Sequence, residues 1–350
     1  MSDSELLQIA DTVDAVLAAA SAAEPQPITD PSAEPTLGLL SDAGLWRVAL
    51  PESAGGSDGL RQHLGVVLKR LGFHAVDVPL LEDHSGAELL VAHGEVVPEG
   101  VLTVTTRQDL VAGQSDGQWV VSGRCRQVPW GRAASVVVAF AQSAEGPVLV
   151  LLPVGDAAVT PGNNVAGEPR DELVFDAVPA VGRIVPPDAP SALLARVLVY
   201  RALAMLGAGE RALEMTITHV VDRTQFGRAL AHRQVVQHYV AEMFGALTAT
   251  RAAVDSAVAA LEGGDTPGTY AAALATKVEA DRMASLVARL AHQLHGAMGV
   301  TLEHPLHFAT TRLASWRQDD FSETACAQEL SRLVPGLGGP WKTLTDQRSQ

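Results

Sequence analysis

Lysine is nearly absent: Lys69, Lys277 and Lys342 are the only three in 350 residues. The other basic residues are arginine. In a chain so rich in Ala, Val and Gly, that bias points to a GC-rich bacterial coding background and not to chemistry. Cysteine is equally scarce. Cys125 and Cys326 form neither a disulfide framework nor a cysteine metal cluster, a usage that fits a reducing cytoplasm. Basic charge is in deficit, with 25 Lys and Arg against 40 Asp and Glu and a formal net charge of −15. Such a field repels a phosphate backbone, so nucleic acid is not an expected partner; anionic membrane surfaces are disfavoured for the same reason. Long hydrophobic runs are missing too. "ASVVVAFA" and "PVLVLLPV" have strand length and do not span a bilayer, so no membrane insertion is expected. The opening "MSDSELLQIADTVDAVLAAA" is acidic and amphipathic, unlike a secretory signal or an Arg-rich transit peptide. The expected location is the bacterial cytoplasm.

What is present is apolar: 47% of residues are hydrophobic and 19% charged, enough for a large core and for two or three domains. The texture changes twice. Residues 1–98 show helical spacing of apolar side chains, as in "ELLQIADTVDAVLAAA" and "LRQHLGVVLKRLGF", interrupted by the loop "LPESAGGSDG". Residues 99–187 hold short Val-rich segments between turn signals such as "SDGQ" and "TPGNN" and predict an antiparallel β domain. Helical texture returns over 188–350. Long alanine-rich stretches at 191–222, 234–261, 267–297 and 323–334 predict a four-helix bundle. The expected order is an N-terminal helical domain, a middle β domain and a C-terminal bundle.

Two segments stand out. In "RTQFGRALAHRQ" (223–234), Gly227 suits a left-handed helix cap, Arg223 complements a helix C-terminus, and Phe226 fills a core. The same arginine suits a diphosphate, gripped through a bidentate fork, with Phe226 packed on a ring. In "QLHGAMGVTLEH" (293–304), Gly296 and Gly299 stop a helix or let backbone approach a ligand. Each segment is weak alone. "GAGE" at 207–210 suggests close helix packing. The clustered His292, His295, His304 and His307 lack the spacing of a metal site, and no metal is expected.

Taken together and in this order, the segments resemble the acyl-CoA dehydrogenase family. An R-x-x-F-G-x-x-L-x-x-x-Q pattern is met by Arg223, Phe226, Gly227, Leu230 and Gln234. A Q-x-x-G-G-x-G-[YF]-x-x-E-x-P pattern is met by Gln293, Gly296, Gly299, Glu303 and Pro305. "LLSDAGLWRVALPESAGGSDG" looks like the family's N-terminal segment. The resemblance implies a mixed α and β fold with those three domains and FAD at a subunit interface, usually of a tetramer. It implies Arg223, Gln225 and Phe226 as cofactor residues from one subunit, with Gln293 and Gly296 from another. The implied reaction is α,β-desaturation of an acyl-CoA thioester in lipid or steroid side-chain β-oxidation. Electrons would pass to an electron-transfer flavoprotein or a similar acceptor.

Removing the α-proton needs a desolvated, well-aimed carboxylate. The family's Y-E-G-T segment corresponds by distance to "SWRQDDFSETAC", which makes Asp320 the candidate base. The alternative is that "DDFSE" caps the last helix, through Ser322 or Asp320. The family's other base position, near "LLARVLVYR", holds no carboxylate. Elsewhere the flavin-facing W-I-T step aligns with Gln127-Val128-Pro129, and Ala297 and Val300 replace a glycine and an aromatic. Better retention at the adenine end resembles actinobacterial steroid-degradation members that assemble as tetramers of unlike subunits. Two expectations follow: a self-sufficient enzyme in a homo-tetramer, or a half-site subunit of a hetero-tetramer with a homologous partner. A flavin-dependent monooxygenase on the same fold is the weaker third.

Overall fold

A computed structural model describes residues 3–20, 35–301 and 303–338. The chain divides into two compact units, Met1–Val67 with Asp77–Val197, and Leu68–Val76 with Leu198–Gln350. The first begins with helices α1 (Asp3–Ala20), α2 (Pro35–Asp42), α3 (Arg61–His74, continuing into the second unit) and α4 (Leu80–Ala92). Helix α4 starts six residues before the "GAELLVAHG" stretch expected from sequence. Residues Leu80 to Leu90 are all buried, so no polar face gives the helix a readable period. Its charges are matched instead. Asp83 takes two hydrogen bonds from Arg47 at 2.8 and 2.9 Å, and Glu88 is paired with Arg61 and Arg196.

The strands of the first unit are β1 (Leu102–Val104), β2 (Gln108–Ser115), β3 (Gln118–Pro129), β4 (Val136–Ser143), β5 (Gly146–Pro153), β6 (Ala158–Thr160) and β7 (Arg170–Ile184). The order β4-β2-β3-β7-β5 is closed by a β4–β5 pairing, giving a small barrel. Most neighbours are antiparallel, as expected, but β1 and β2 join β4 in parallel. Alternate residues fill the interior: Val137, Ala139 and Ala141 from β4, Val148, Val150 and Leu152 from β5, Leu173 and Phe175 from β7. Strand β2 buries only Leu110 and so lacks the alternation that marks the others. Its turn to β3, Asp116-Gly117, has φ of 51° and 78°, the geometry that Asp-Gly accepts in tight hairpins.

The second unit holds most of α5 (Ala189–Asp222) and then the short strands β8 (Thr224–Gln225) and β9 (Arg228–Ala229). Helices α6 (Gln234–Glu262), α7 (Pro267–His295), α8 (Leu306–Trp316) and α9 (Glu323–Leu333) follow. Helix α8 is additional to the four expected. Helix α5 is long and apolar enough to cross a membrane, yet its most hydrophobic window is 94% buried by protein, as a core helix is. Thr266 caps α7, accepting from the Thr269 amide at 3.0 Å, with Pro267 at the first helical position. Glycines set how closely α5 packs on α3. A methyl group at Gly72 would stand 2.0 Å from the Ala204 carbonyl oxygen, and one at Gly207 would stand 1.9 Å from that of Lys69. The glycine of "GAGE" therefore serves packing.

Substituting Gly72→Ala or Gly207→Ala is expected to destabilise the protein by about 1–3 kcal/mol through overpacking. Gly245→Ala, on α6 with open space around its Cβ, is expected to stabilise by about 0.5–1 kcal/mol. Denaturant unfolding of the three variants checks the opposite signs.

Candidate functional site

Helix α5 ends at Asp222, where the Arg223 amide donates to the His219 carbonyl at 2.9 Å. The chain then forms a hairpin. Thr224 and Gln225 pair with Ala229 and Arg228, and Phe226 and Gly227 make the turn with φ of 53° and 73°. Gly227 is thus a hairpin-turn residue, not a helix cap, because both turn positions need positive φ. Phe226 does not fill a core. It is 92% exposed at the hairpin tip, with the Arg233 guanidinium 5.4 Å from its ring centroid. Arg233 also donates to the Gln225 carbonyl at 3.2 Å, fixing the hairpin against the start of α6.

Helix α7 ends at His295, and Gly296, with φ of 62°, turns the chain into a short 3-10 segment, Gly296–Val300. Gly299 is required by space: an added Cβ would sit 2.7 Å from that of His295. Three imidazoles then stack. His219 lies face to face with His295 at 4.5 Å between centroids, and His304 meets His295 edge-on at 4.7 Å. His295 Nδ1 lies 2.8 Å from the Ala291 carbonyl, which only accepts, so Nδ1 carries the proton. Its buried Nε2 has no partner. Burial, aided by the neighbouring imidazoles, pushes the ring's pKa down to about 4. His219 is also lowered, first by burial and then by His304 and Arg223.

These segments border one cavity of about 530 Å³. Helix α5 supplies Arg211, Glu214, Thr218 and His219, and its end supplies Arg223; Met298 and His304 form the facing wall. Arg223 and the 296–300 turn therefore meet within a single chain. The resemblance implies that, on one FAD, the two segments act from different subunits. Gln225, Phe226, Gln293 and Gly296 are exposed nearby and do not line the cavity.

Asp320 lies elsewhere, in the segment between α8 and α9. Its side chain is 7% exposed, its φ is 57°, and its carboxylate faces Arg201 Nε at 3.4 Å. Arg201, on α5 and 6% exposed, also has its guanidinium 6.0 Å from the Trp316 ring centroid. Ser322, not Asp320, caps α9, accepting from the Ala325 amide at 3.4 Å. Arg201 on α5 and Arg223, just past its end, are 22 residues apart, roughly 33 Å at 1.5 Å per residue. Arg201 was missed in the sequence. It ends "LLARVLVYR", a stretch without a carboxylate whose local spacing gives no sign of a distant acidic partner.

The family profile "Acyl-CoA dehydrogenase, C-terminal domain" matches residues 194–315, the span that carries the cavity. A variant of the Tcur3481-Tcur3483 steroid acyl-CoA dehydrogenase is 27% identical, with a TM-score of 0.84 over 96% of this chain and 99% of that one. Residues 194–315 match the acyl-CoA dehydrogenase C-terminal domain, and the whole chain is similar to members of that family. Acyl-CoA dehydrogenase IpdE2 of Mycobacterium tuberculosis is 25% identical over 77% of this chain and 76% of its own length. The ChsE4-ChsE5 complex from Mycobacterium tuberculosis shares the fold, with a TM-score of 0.86 at 21% identity over 96% of this chain and 98% of that one. The family's members are oxidoreductases, and this chain has the same mixed content of helices and strands.

The histidine stack has a consequence for acid stability. Below pH 6.5 the unfolded chain protonates this imidazole, while the folded protein leaves His295 neutral until about pH 4. Stability is therefore lost as pH falls through that window, by at most about 3 kcal/mol. Unfolding curves between pH 7 and 4 should show this loss in the native protein and its reduction in His295→Gln.

Proposed function

We propose that this chain is one subunit of an FAD-dependent acyl-CoA dehydrogenase. It would hold the cofactor's diphosphate end, while a second, homologous chain supplies the proton-abstracting base. The observation that carries this reading is the separation of Arg223 from Asp320 along α5. Roughly 33 Å of helix rise separates the two positions, so a diphosphate gripped by Arg223 would lie far from Asp320 of the same chain. The Asp320–Arg201 pair supports the unlike-subunit version. Asp320 is already matched by a guanidinium at 3.4 Å, and taking a proton from carbon would mean giving up that pair.

The cavity would receive the diphosphate at Arg223, beside Asp222 and beside Arg211, which is paired with Glu214 at 3.2 Å. Arg223 and Arg211 are the cationic donors, Thr218 adds a hydroxyl, and His219 and His304 offer imidazole edges and faces. Gln225 and Phe226 on the hairpin, and Gln293 and Gly296 at the end of α7, flank this opening and would close over the cofactor in the assembly. Bound FAD would accept the hydride equivalent from the β-carbon as the α-proton leaves. Exposed apolar side chains on the same unit, among them Val221, Phe226, Met298 and Val300, suit burial against another subunit of a tetramer. The substrate class is an acyl-CoA of lipid or steroid side-chain breakdown, with an electron-transfer flavoprotein or similar acceptor, in a bacterial cytoplasm. The relative named for steroid chemistry supports this choice.

Co-expression with the neighbouring homologous gene product tests the proposal. The complex is expected to be yellow and to reduce a ferrocenium-type acceptor with acyl-CoA. Arg223→Ala in this chain should lower its FAD content at least tenfold, whereas Asp320→Ala should leave kcat within about threefold. A lone chain that turns over acyl-CoA and loses activity on Asp320→Ala would establish the self-sufficient enzyme instead.

A further inference from the structure

Lys277 is fully buried on α7, a rare place for an ammonium group. Its Nζ donates to both carboxylate oxygens of Asp281, one turn further on, at 2.7 and 2.9 Å, and Asp281 is equally buried. Such a pair is a poor stabiliser by itself, because desolvating two charges offsets their attraction. The ammonium has two more acceptors, however. The Arg317 carbonyl lies at 3.4 Å and the Phe321 carbonyl at 3.2 Å. Arg317 caps the C-terminal end of α8, and Phe321 precedes Ser322, the N-cap of α9. One buried cation thus joins the two rims of the segment 318–320. At the C-terminal end of α8 a positive charge also meets favourable partial charges of the helix.

The segment needs such an anchor. Asp320 holds a left-handed backbone at φ 57°, which costs on the order of 1 kcal/mol or more for a non-glycine residue and persists only where the surroundings impose it. We propose that Lys277, oriented by Asp281, is the positioning residue of the 318–320 segment and that it keeps Asp320 against Arg201. The relevance to catalysis rests on the reading of the Asp320–Arg201 pair given above. The anchoring itself does not, and it is measured without flavin or substrate.

Cys326 reports on the segment directly. Its sulfur lies 3.8 Å from the same Phe321 carbonyl, and the side chain is fully buried. Cys125, inside the barrel of the other unit and also fully buried, reports on global opening. The test is labelling of both thiols with an aromatic disulfide in the full chain, comparing native protein with Lys277→Met/Asp281→Leu, which removes both charges and leaves an apolar pair. Cys326 labelling is expected to accelerate at least tenfold while Cys125 stays protected and the unfolding midpoint moves by only a few degrees. Asp281→Asn, a milder change that keeps the residue's volume, is expected to give a smaller rise at Cys326 alone, and it serves if the double variant does not fold. Unchanged labelling of Cys326, or equal acceleration of both thiols, overturns the proposal. A chain that binds no FAD but shows the selective rise at Cys326 would remove the functional reading and leave the anchor standing.

Discussion

The rise of an α-helix, 1.5 Å per residue, is the constraint on which the rest depends. Helix α5 runs unbroken from Ala189 to Asp222, carries Arg201, and is followed directly by Arg223. Because it is rigid and buried, the cavity at its end and the Asp320 segment along its side are held apart by a fixed length. Glycines preserve that length by letting α3 and α5 approach without bending either. The cavity and the Asp320 segment are therefore two separate places on this chain, and under the proposed function an assembly of chains would bring complementary halves together.

Charge is buried at several points in this molecule, each time with a positioning consequence. On α4, Asp83 and Glu88 are buried with Arg47, Arg61 and Arg196. On α7, Lys277 and Asp281 are sealed from solvent, and burial raises the Asp281 carboxyl to about 6 even though Lys277 pulls it down. Apolar replacements would pack as well or better, so the gain from such pairs is register and not stability. At the Asp320 segment the proposed anchoring by Lys277 would keep the carboxylate on the Arg201 guanidinium.

Much of the fold was legible. The change of period near residue 100 marks the strands, and alanine-rich stretches mark the long helices of the second unit, because burial on one face leaves a period behind. Where burial is complete, as on α4, or nearly absent, as on β2, no period remains to be read. The two site segments were legible as a pair in order, but not in conformation. Phe226 and Gly227 form a hairpin turn where a helix cap was expected, since positive φ at Phe226 is imposed by pairing across Thr224–Ala229 and leaves no mark in composition. Partners distant in sequence were the least legible. Arg201 and Asp320 are 119 residues apart, and Lys277 reaches Phe321 across 44, and no local spacing announces either contact.

The central claim is that the two ends of one cofactor are held by different polypeptides. Photo-labelling of the co-expressed complex tests it most directly, with one FAD analogue carrying an azide on the adenine and another carrying it on the flavin ring. The account predicts that the adenine-end label attaches to this chain near Arg223 and the flavin-end label attaches to the other chain. Recovery of both labels on this same polypeptide would contradict it.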